Sequence, residues 1–418
     1  MKISKSHLLD GKTISITGSK SISNRLLILG KLFGDLKIEN LSNSQDTQLL
    51  QKALNEDAET LDIHHAGTAM RFLTSFYAIQ EDRKTILTGS ERMKQRPIKP
   101  LVDALRELGA EINYLENEGF PPLEIHGKKI EKNFVKIPAN ISSQFITSLL
   151  LIGASLENGL EIELQGEITS RSYIKMTLKI LKDIGVETHF EGNTIKILSA
   201  ASSLSNQKLD RHYHSSKIKH YIVESDWSSA SYFYSLAAIG RKDIDLKSFK
   251  TYSMQGDSAL KQIYWDFFGV NTITDEADFT ISLCPEESYQ RPKKVVLDMN
   301  DCPDIAQTVC VTATALLMPF HLTGLATLKV KETDRLVALQ NELIKIGCQT
   351  EITEDSITSI GFTKPYEEIS IKTYNDHRMA MSFAPYCLIK ELTIEHAEVV
   401  EKSYPDFWTD FNKVTEQI

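Results

Sequence analysis

Apolar residues recur at three- and four-residue spacings in four separate stretches, and each stretch stops at a glycine. Leu101, Leu105 and Leu108 precede Gly109, and Ile174, Leu178 and Leu181 precede Gly185. Leu260, Ile263 and Phe267 precede Gly269, and Leu336, Leu339, Leu343 and Ile346 precede Gly347. Such spacing gathers each set on one face of a helix, and glycine readily ends one. Proline suits a first helical turn, so the first of these helices is predicted to open at Pro97. A short strand-like segment follows each glycine, at residues 110–114, 186–190, 270–273 and 348–352. Polar turns such as Glu191-Gly192-Asn193 then lead to a second strand, here residues 194–197. The four glycines lie 76, 84 and 78 residues apart. A repeated βαβ-type module is implied, longer than the common solenoid repeats. Residues 47–54 read as a worn earlier copy and residues 405–414 as a later one. Five or six modules of this kind describe an α/β protein with internal pseudo-symmetry. Residues 200–219, rich in Ser, His and Lys, lack clear periodicity and read as an insertion or loop near a domain boundary.

Composition narrows the function classes. With 418 residues the chain is long enough for two or three domains, and its net charge is −9. A nucleic-acid binder would carry a basic excess, so no nucleic acid is expected as partner. Any positive site must be local. The first twelve residues are polar and lack the apolar core of a secretion signal. The longest apolar stretches, residues 149–154 and 309–320, are too short to span a bilayer. The five cysteines, all from Cys284 onward, form no CxxC pair and no even-numbered framework. A cytoplasmic location and no membrane association are expected.

Charge and small residues concentrate where helices begin. Gly18-Ser19-Lys20-Ser21-Ile22-Ser23-Asn24-Arg25 precedes an apolar helix. Free backbone N–H groups and two cations at one helix end suit an anion, and no Walker loop is present. Ala66-Gly67-Thr68-Ala69-Met70-Arg71 is a second such start. The run from Glu91 to Pro97 places Arg92, Lys94 and Arg96 before the next helix, and Ser142-Ser143-Gln144 and Ser170-Arg171-Ser172-Tyr173 open two more. The second half carries Asp304, then Lys331-Glu332-Thr333-Asp334-Arg335, then Asn375-Asp376-His377-Arg378, then Lys402. Each start has a bland reading as a cap or a solvated charge run. Lys or Arg at the positive end of a helix dipole needs a reason, however, and a bound anion supplies one. Repeated over so many helix starts, the pattern describes a deep site for more than one phosphate or carboxylate, gripped by bidentate Arg and point-charge Lys. No metal-ligand spacing and no dinucleotide fingerprint appear, so neither metal nor other cofactor is expected.

Taken together, these segments resemble the 5-enolpyruvylshikimate-3-phosphate synthase family of enolpyruvyl transferases. The shared segments, in family order, are Gly-Ser-Lys-Ser-x-Ser-Asn-Arg, Ala-Gly-Thr-Ala-Met-Arg, Ser-Ser-Gln-Phe and Asp226-Trp227-Ser228-Ser229-Ala230-Ser231-Tyr232. Met254-Gln255-Gly256-Asp257, Lys-Glu-Thr-Asp-Arg-Leu and Tyr374-Asn375-Asp376-His377-Arg378-Met379 complete them, spanning residues 18–407. The resemblance implies an α/β (α+β) fold of two similar domains. Each has three βαβαββ repeats, an inside-out α/β barrel, and the two close on substrate. Boundaries would fall at residues 19–223 for the shikimate 3-phosphate side, and at 1–18 with 224–418 for the domain carrying most acid–base residues. The implied reaction adds the 5-hydroxyl of shikimate 3-phosphate to C2 of phosphoenolpyruvate and then eliminates phosphate, a step of aromatic amino-acid biosynthesis. By the same resemblance Lys20, Ser21, Arg25, Ser142, Ser143, Gln144, Ser170, Tyr173, Asp304 and Lys331 bind shikimate 3-phosphate. Lys20, Gly67, Arg71, Arg96, Gln144, Arg335, Arg378 and Lys402 bind phosphoenolpyruvate. Lys20, Asp304, Lys331, Glu332 and His377 are the implied catalytic set, with Asp304 the base and Glu332 handling the methylene proton. A monomer and sensitivity to glyphosate are also implied.

Two departures stand out. The family usually has Asn where this chain has His65, and the usual Asn near Thr327 is absent. Residues 55–64 are also short, which predicts a trimmed edge on the first repeat. The sister transferase acting on UDP-N-acetylglucosamine generally uses a cysteine, sometimes an aspartate, on an N-terminal-domain loop. No cysteine precedes Cys284 here. A fold-preserving scaffold without turnover is the remaining alternative, and the intact Lys20, Asp304, Glu332 and Arg378 speak against it.

Overall fold

The computed structural model describes residues 1–34, 36–199 and 220–418. The segment 200–219, read above as an insertion or loop, lies outside the described residues. The chain divides into two compact units, residues 20–223 and residues 1–19 with 224–418.

In the unit 20–223 the βαβαββ module occurs twice in full. Strand Thr60–Asp62, helix Gly67–Ala78, strand Lys84–Thr88 and helix Lys99–Leu108 lead into the hairpin Glu111–Tyr114 and Leu123–His126. Strand Phe134–Pro138, helix Ser143–Gly153, strand Leu160–Gln165 and helix Arg171–Asp183 lead into the hairpin Thr188–Glu191 and Thr194–Ile197. In both, the first two strands pair in parallel and the hairpin adds antiparallel. A third set is partial among the described residues. Strands His220–Ile222 and Lys37–Glu39 pair in parallel beside helices Lys20–Phe33 and Gln45–Asn55. Only residues 56–59 separate that last helix from strand Thr60–Asp62, so no hairpin fits there.

The other unit repeats the plan. Strand Lys12–Ser15 pairs in parallel with Ile244–Lys247, to which the hairpin Val270–Asp275 and Thr280–Pro285 is added. Strands Val295–Asp298 and Phe320–Thr323 carry the hairpin Cys348–Ile352 and Ile357–Phe362 in the same way. In the third set Ser370–Ile371 and Leu392–Ile394 are parallel, and the N-terminal strand Lys2–Ile3 takes the antiparallel place. Among the described residues, the expected three modules per unit are two complete ones and one partial one in each.

Glycines end the predicted helices for the expected reason. Gly109, Gly269 and Gly347 cap them in left-handed backbone, with φ of +111°, +65° and +91°. One predicted start is corrected. The helix opens at Lys99, with Pro100 in its first turn, while Pro97 lies outside and its carbonyl accepts from Arg71.

Inside each unit the central helices are buried on almost every side, as Gly67–Ala78 and Trp227–Gly240 show. A helix apolar all round belongs in an interior. Small hydroxyl residues let them approach and satisfy one another. Ser148 donates to the Arg71 carbonyl at 2.6 Å in one unit. In the other, Thr308 Oγ1 lies 3.0 Å from Ser231 Oγ and 3.2 Å from Ser382 Oγ. Parallel βαβ connection sends these helix starts out beyond the carboxyl ends of the strands, the place where such folds bind ligands. Among the described residues, no helix is long and apolar enough to cross a membrane.

Candidate active site

Four helix starts come together in the unit 20–223, and arginines tie them. Arg25, in the second turn of Lys20–Phe33, is 3% exposed. Its Nη1 donates to the Ser21 carbonyl (2.6 Å), Nε to Thr177 Oγ1 (2.8 Å), and Nη2 to Thr147 Oγ1 and the Tyr173 carbonyl (3.3 Å each). Three helices thus meet at one guanidinium. Burial lowers the Arg25 pKa to about 10. Arg71 Nη1 donates to the Gly67 carbonyl at 3.1 Å, and its Nη2 to the Pro97 carbonyl at 2.9 Å. Gln144 Nε2 donates to Thr68 Oγ1 at 3.3 Å, joining the starts of helices Gly67–Ala78 and Ser143–Gly153. Ser142 caps the second of these by accepting from the Gln144 N–H at 3.3 Å, and Ser143 is buried behind it. Ser170 begins Arg171–Asp183 in left-handed backbone, φ +52°. Non-glycine residues held that way gather at functional sites.

Of the cations before the Lys99 helix, only Arg96 turns inward. Arg92 is exposed, and Lys94 pairs with Glu116 at 2.8 Å. Arg96 is 6% exposed, and its Nε and Nη1 have no hydrogen-bond partner among the described residues. The guanidinium lies over Gly67, whose missing side chain leaves it room. Neither Arg25 nor Arg96 has a carboxylate partner among the described residues. An unmatched buried cation calls for an anion. Lys20, by contrast, meets the buried Asp46 at 3.4 Å. Asp46 carries no signal beyond an acidic residue in a capped first turn, and the sequence reading passed over it. His65 stands half-buried just before the helix that begins at Gly67.

The other unit builds a network of charge. Arg335, 2% exposed, donates from Nε to Asp376 Oδ2 (2.6 Å), from Nη1 to Asp304 Oδ1 (3.0 Å) and from Nη2 to Glu332 Oε2 (2.9 Å). Burial opposes its charge, but Asp376, Glu332 and Asp304 outweigh that and raise its pKa above the usual value. Lys402 donates to Glu332 Oε1, and Lys331 Nζ lies 3.5 Å from Asp304 Oδ1. Burial lowers the Lys331 pKa, with Asp304 acting against that. Arg378 Nη1 donates to the Asp304 carbonyl (3.0 Å), while Nη2 lies 3.2 Å from Asp304 Oδ2 and donates to Ser228 Oγ (3.3 Å). Asp376 caps its helix by accepting from the Arg378 N–H at 2.9 Å, and His377 is buried beside it. Tyr374 and Asn375, both left-handed at φ +54° and +56°, turn the chain into that cap.

In this half the expectation that cations at helix starts require a bound anion is corrected. Much of that requirement is met internally, because Arg335 alone is faced by three carboxylates. The sequence reading placed Asp304, Lys331, Glu332, Arg335, His377, Arg378 and Lys402 in the site, and the structure brings them together. It missed Asp376 and Asp257 as members, although both stand in the shared segments. Asp257 is buried, and its Oδ2 accepts a hydrogen bond from Ser228.

The comparisons agree with this geometry. A profile of EPSP synthase (3-phosphoshikimate 1-carboxyvinyltransferase) matches residues 50–411. A protein of Bacteroides fragilis named 3-phosphoshikimate 1-carboxyvinyltransferase is 43% identical over 406 residues, covering 96% of this chain and 94% of that one. One of the same name from Haemophilus influenzae is 36% identical over 436 residues, covering 96% of each. The solved EPSP synthase of Acinetobacter baumannii superposes with a TM-score of 0.69 at 22% identity, covering 99% of this chain and 98% of that one. The enolpyruvyl transferase NikO of Streptomyces tendae reaches 0.68 at 12% identity, covering 99% and 97%. At those identities the two structures establish the shared fold. With the profile match and the close relatives, they place this chain in the EPSP synthase family.

Proposed function

We propose that the protein is a 3-phosphoshikimate 1-carboxyvinyltransferase, moving the enolpyruvyl group of phosphoenolpyruvate to the 5-hydroxyl of shikimate 3-phosphate and releasing phosphate. The observation that carries this reading beyond family membership is Arg96, buried over Gly67 with Nε and Nη1 unengaged and no carboxylate partner among the described residues. A fold kept only as a scaffold has no use for so costly a cation.

The unit 20–223 contributes the shikimate 3-phosphate contacts of Lys20, Ser21, Arg25, Ser142, Ser143, Gln144, Ser170 and Tyr173. It also contributes Arg71, Arg96 and the Gly67 backbone toward phosphoenolpyruvate. By the family resemblance Arg335, Arg378 and Lys402 bind phosphoenolpyruvate, and Asp304 and Lys331 serve the reacting hydroxyl. Asp304 takes the proton from that hydroxyl as its oxygen bonds to C2. Glu332 delivers a proton to the methylene carbon, and takes one back when the carbon–phosphate bond breaks. Glu332 rests between Lys402 and Arg335, where a carboxylate stays ionised. An arriving anion competes for those cations and places negative charge beside Glu332. That raises its proton affinity as substrate binds. Proton transfer of this kind is worth roughly 10²–10⁴-fold, and positioned cations supply the rest by orientation and charge stabilisation.

Cytoplasmic, monomeric action without nucleic acid or membrane belongs to the same reading, the monomer by family resemblance and the rest by charge, cysteine usage and the short apolar stretches. Phosphorus NMR of the purified protein with both substrates tests the activity. Inorganic phosphate should appear together with a product that keeps the 3-phosphate. Binding of both ligands without that pair of signals would favour the scaffold.

A further inference from the structure

Two segments shared with the family remain without a role in the chemistry above: the one holding Ser228 and the one holding Asp257. The structure joins them at the edge of the charge network. Ser228, in the first turn of Trp227–Gly240, donates its hydroxyl proton to Asp257 Oδ2. Ser228 Oγ in turn accepts from Arg378 Nη2 at 3.3 Å, and that nitrogen lies 3.2 Å from Asp304 Oδ2. Asp257 is 4% exposed, and its Oδ1 has no hydrogen-bond partner among the described residues. A hydroxyl has one proton to give. With that proton pledged to Asp257, the lone pair of Ser228 faces Arg378, and the guanidinium gains a fixed acceptor opposite Asp304.

We propose that Asp257 is a positioning residue for the transfer reaction, acting through the Ser228 hydroxyl to orient Arg378 and the Asp304 carboxylate that Arg378 holds. The inference rests on the functional reading, which gives Arg378 to phosphoenolpyruvate and Asp304 to the attacking hydroxyl. Asp257 itself touches neither.

The arrangement depends on protonation. Burial pushes the Asp257 carboxyl up to about 7, and Asp304 and Asp226 add to the push. Arg378 and the Ser228 hydrogen bond act against it. The Cys302 thiol also faces the group, and its own pKa is raised, first by burial and then by Asp257. An ionised Asp257 only accepts, so the relay holds. A protonated one can donate to Ser228 Oγ and compete with Arg378 for its lone pair. Orientation of Arg378 therefore weakens as pH falls through about 7.

The test is the pH profile of kcat/KM for phosphoenolpyruvate in wild type, Asp257→Asn, Ser228→Ala and the double variant, with shikimate 3-phosphate saturating. Wild type should lose activity on an acid limb near neutrality. Asp257→Asn should run roughly 10-fold below wild type at alkaline pH, the size of one lost charge-assisted hydrogen bond, and lack that limb. Ser228→Ala should behave alike, and the double variant should be no worse than either, since all three break one chain. A limb that survives in Asp257→Asn, or losses that multiply in the double variant, overturns the proposal. So does an equal fall in shikimate 3-phosphate affinity by titration, which would mark general damage. A wild type that releases no phosphate at all overturns the functional reading and this one with it. Turnover with unaltered variant profiles overturns this one alone.

Discussion

A Cβ on Gly67 would stand 2.3 Å from Nη1 of Arg96 and 2.7 Å from its Cζ, so the start of one helix is shaped around a guanidinium from another segment. The clashing atoms are the far end of a flexible side chain, and the fold itself can accept the change. Gly67→Ala should therefore leave thermal stability almost intact and move Arg96. The expected result is a KM for phosphoenolpyruvate raised about 10-fold or more, with the KM for shikimate 3-phosphate little altered. Glyphosate, an anionic competitor, should inhibit wild type and lose potency on the variant. Wild-type tolerance of millimolar glyphosate would contradict this.

Arg25 ties three helices by hydrogen bonds to Ser21, Thr147, Tyr173 and Thr177. Arg25→Met keeps the bulk but strands those buried acceptors. A loss of about 2–4 kcal/mol in unfolding free energy is expected, together with weakened shikimate 3-phosphate binding. Denaturant titration gives the first and isothermal calorimetry the second. An unchanged midpoint would show that water satisfies the acceptors.

How much of this was readable beforehand differs by kind. Helix starts and stops were, because capping serines, terminal glycines and first-turn cations act within a few residues of themselves. Gly109, Gly269 and Gly347 sit where periodicity put them. The short stretch before Thr60 likewise announced the missing hairpin. Pro97 misled because Pro100, three residues on, offers the same signal and the chain needs Pro97's carbonyl for Arg71. Pairing across the chain was not readable. Of the carboxylates around Arg335 only Glu332 is local, and the sequence does not show that Asp304 and Asp376 reach it while Arg96 has no carboxylate partner among the described residues. The parallel partnership of Lys37–Glu39 with His220–Ile222 is set by tertiary closure alone. Asp257 was visible as a family residue, but its line through Ser228 to Arg378 is purely spatial.

Asp304→Asn and Glu332→Gln should each lower kcat by roughly 10²–10⁴-fold while leaving binding of both substrates measurable. In deuterated water, wild type should incorporate deuterium into the methylene of the product, because that carbon is transiently a methyl group. Glu332→Gln should slow incorporation as much as turnover. Incorporation that persists while turnover falls would assign the proton to another group, with His377 and Lys20 next in line.

Burial lowers the pKa of Lys331, so its ammonium is less favourable in the fold than in the unfolded chain. A lowered folded pKa means a cost fully present at neutral pH, fading as pH rises from the folded value toward the ordinary 10.5. Its side chain is 22% exposed, which softens the cost. Lys331→Met should raise the melting temperature at pH 7 and abolish most turnover, a trade of activity for stability. The gap in melting temperature should shrink at high pH. A destabilised variant would mean the ion pair with Asp304 outweighs burial.

The most direct test of the whole account is phosphate release by the purified protein with phosphoenolpyruvate, alone and with each candidate acceptor. The account predicts release with shikimate 3-phosphate present and none without it. Release driven by UDP-N-acetylglucosamine instead, or none with either acceptor, would contradict it.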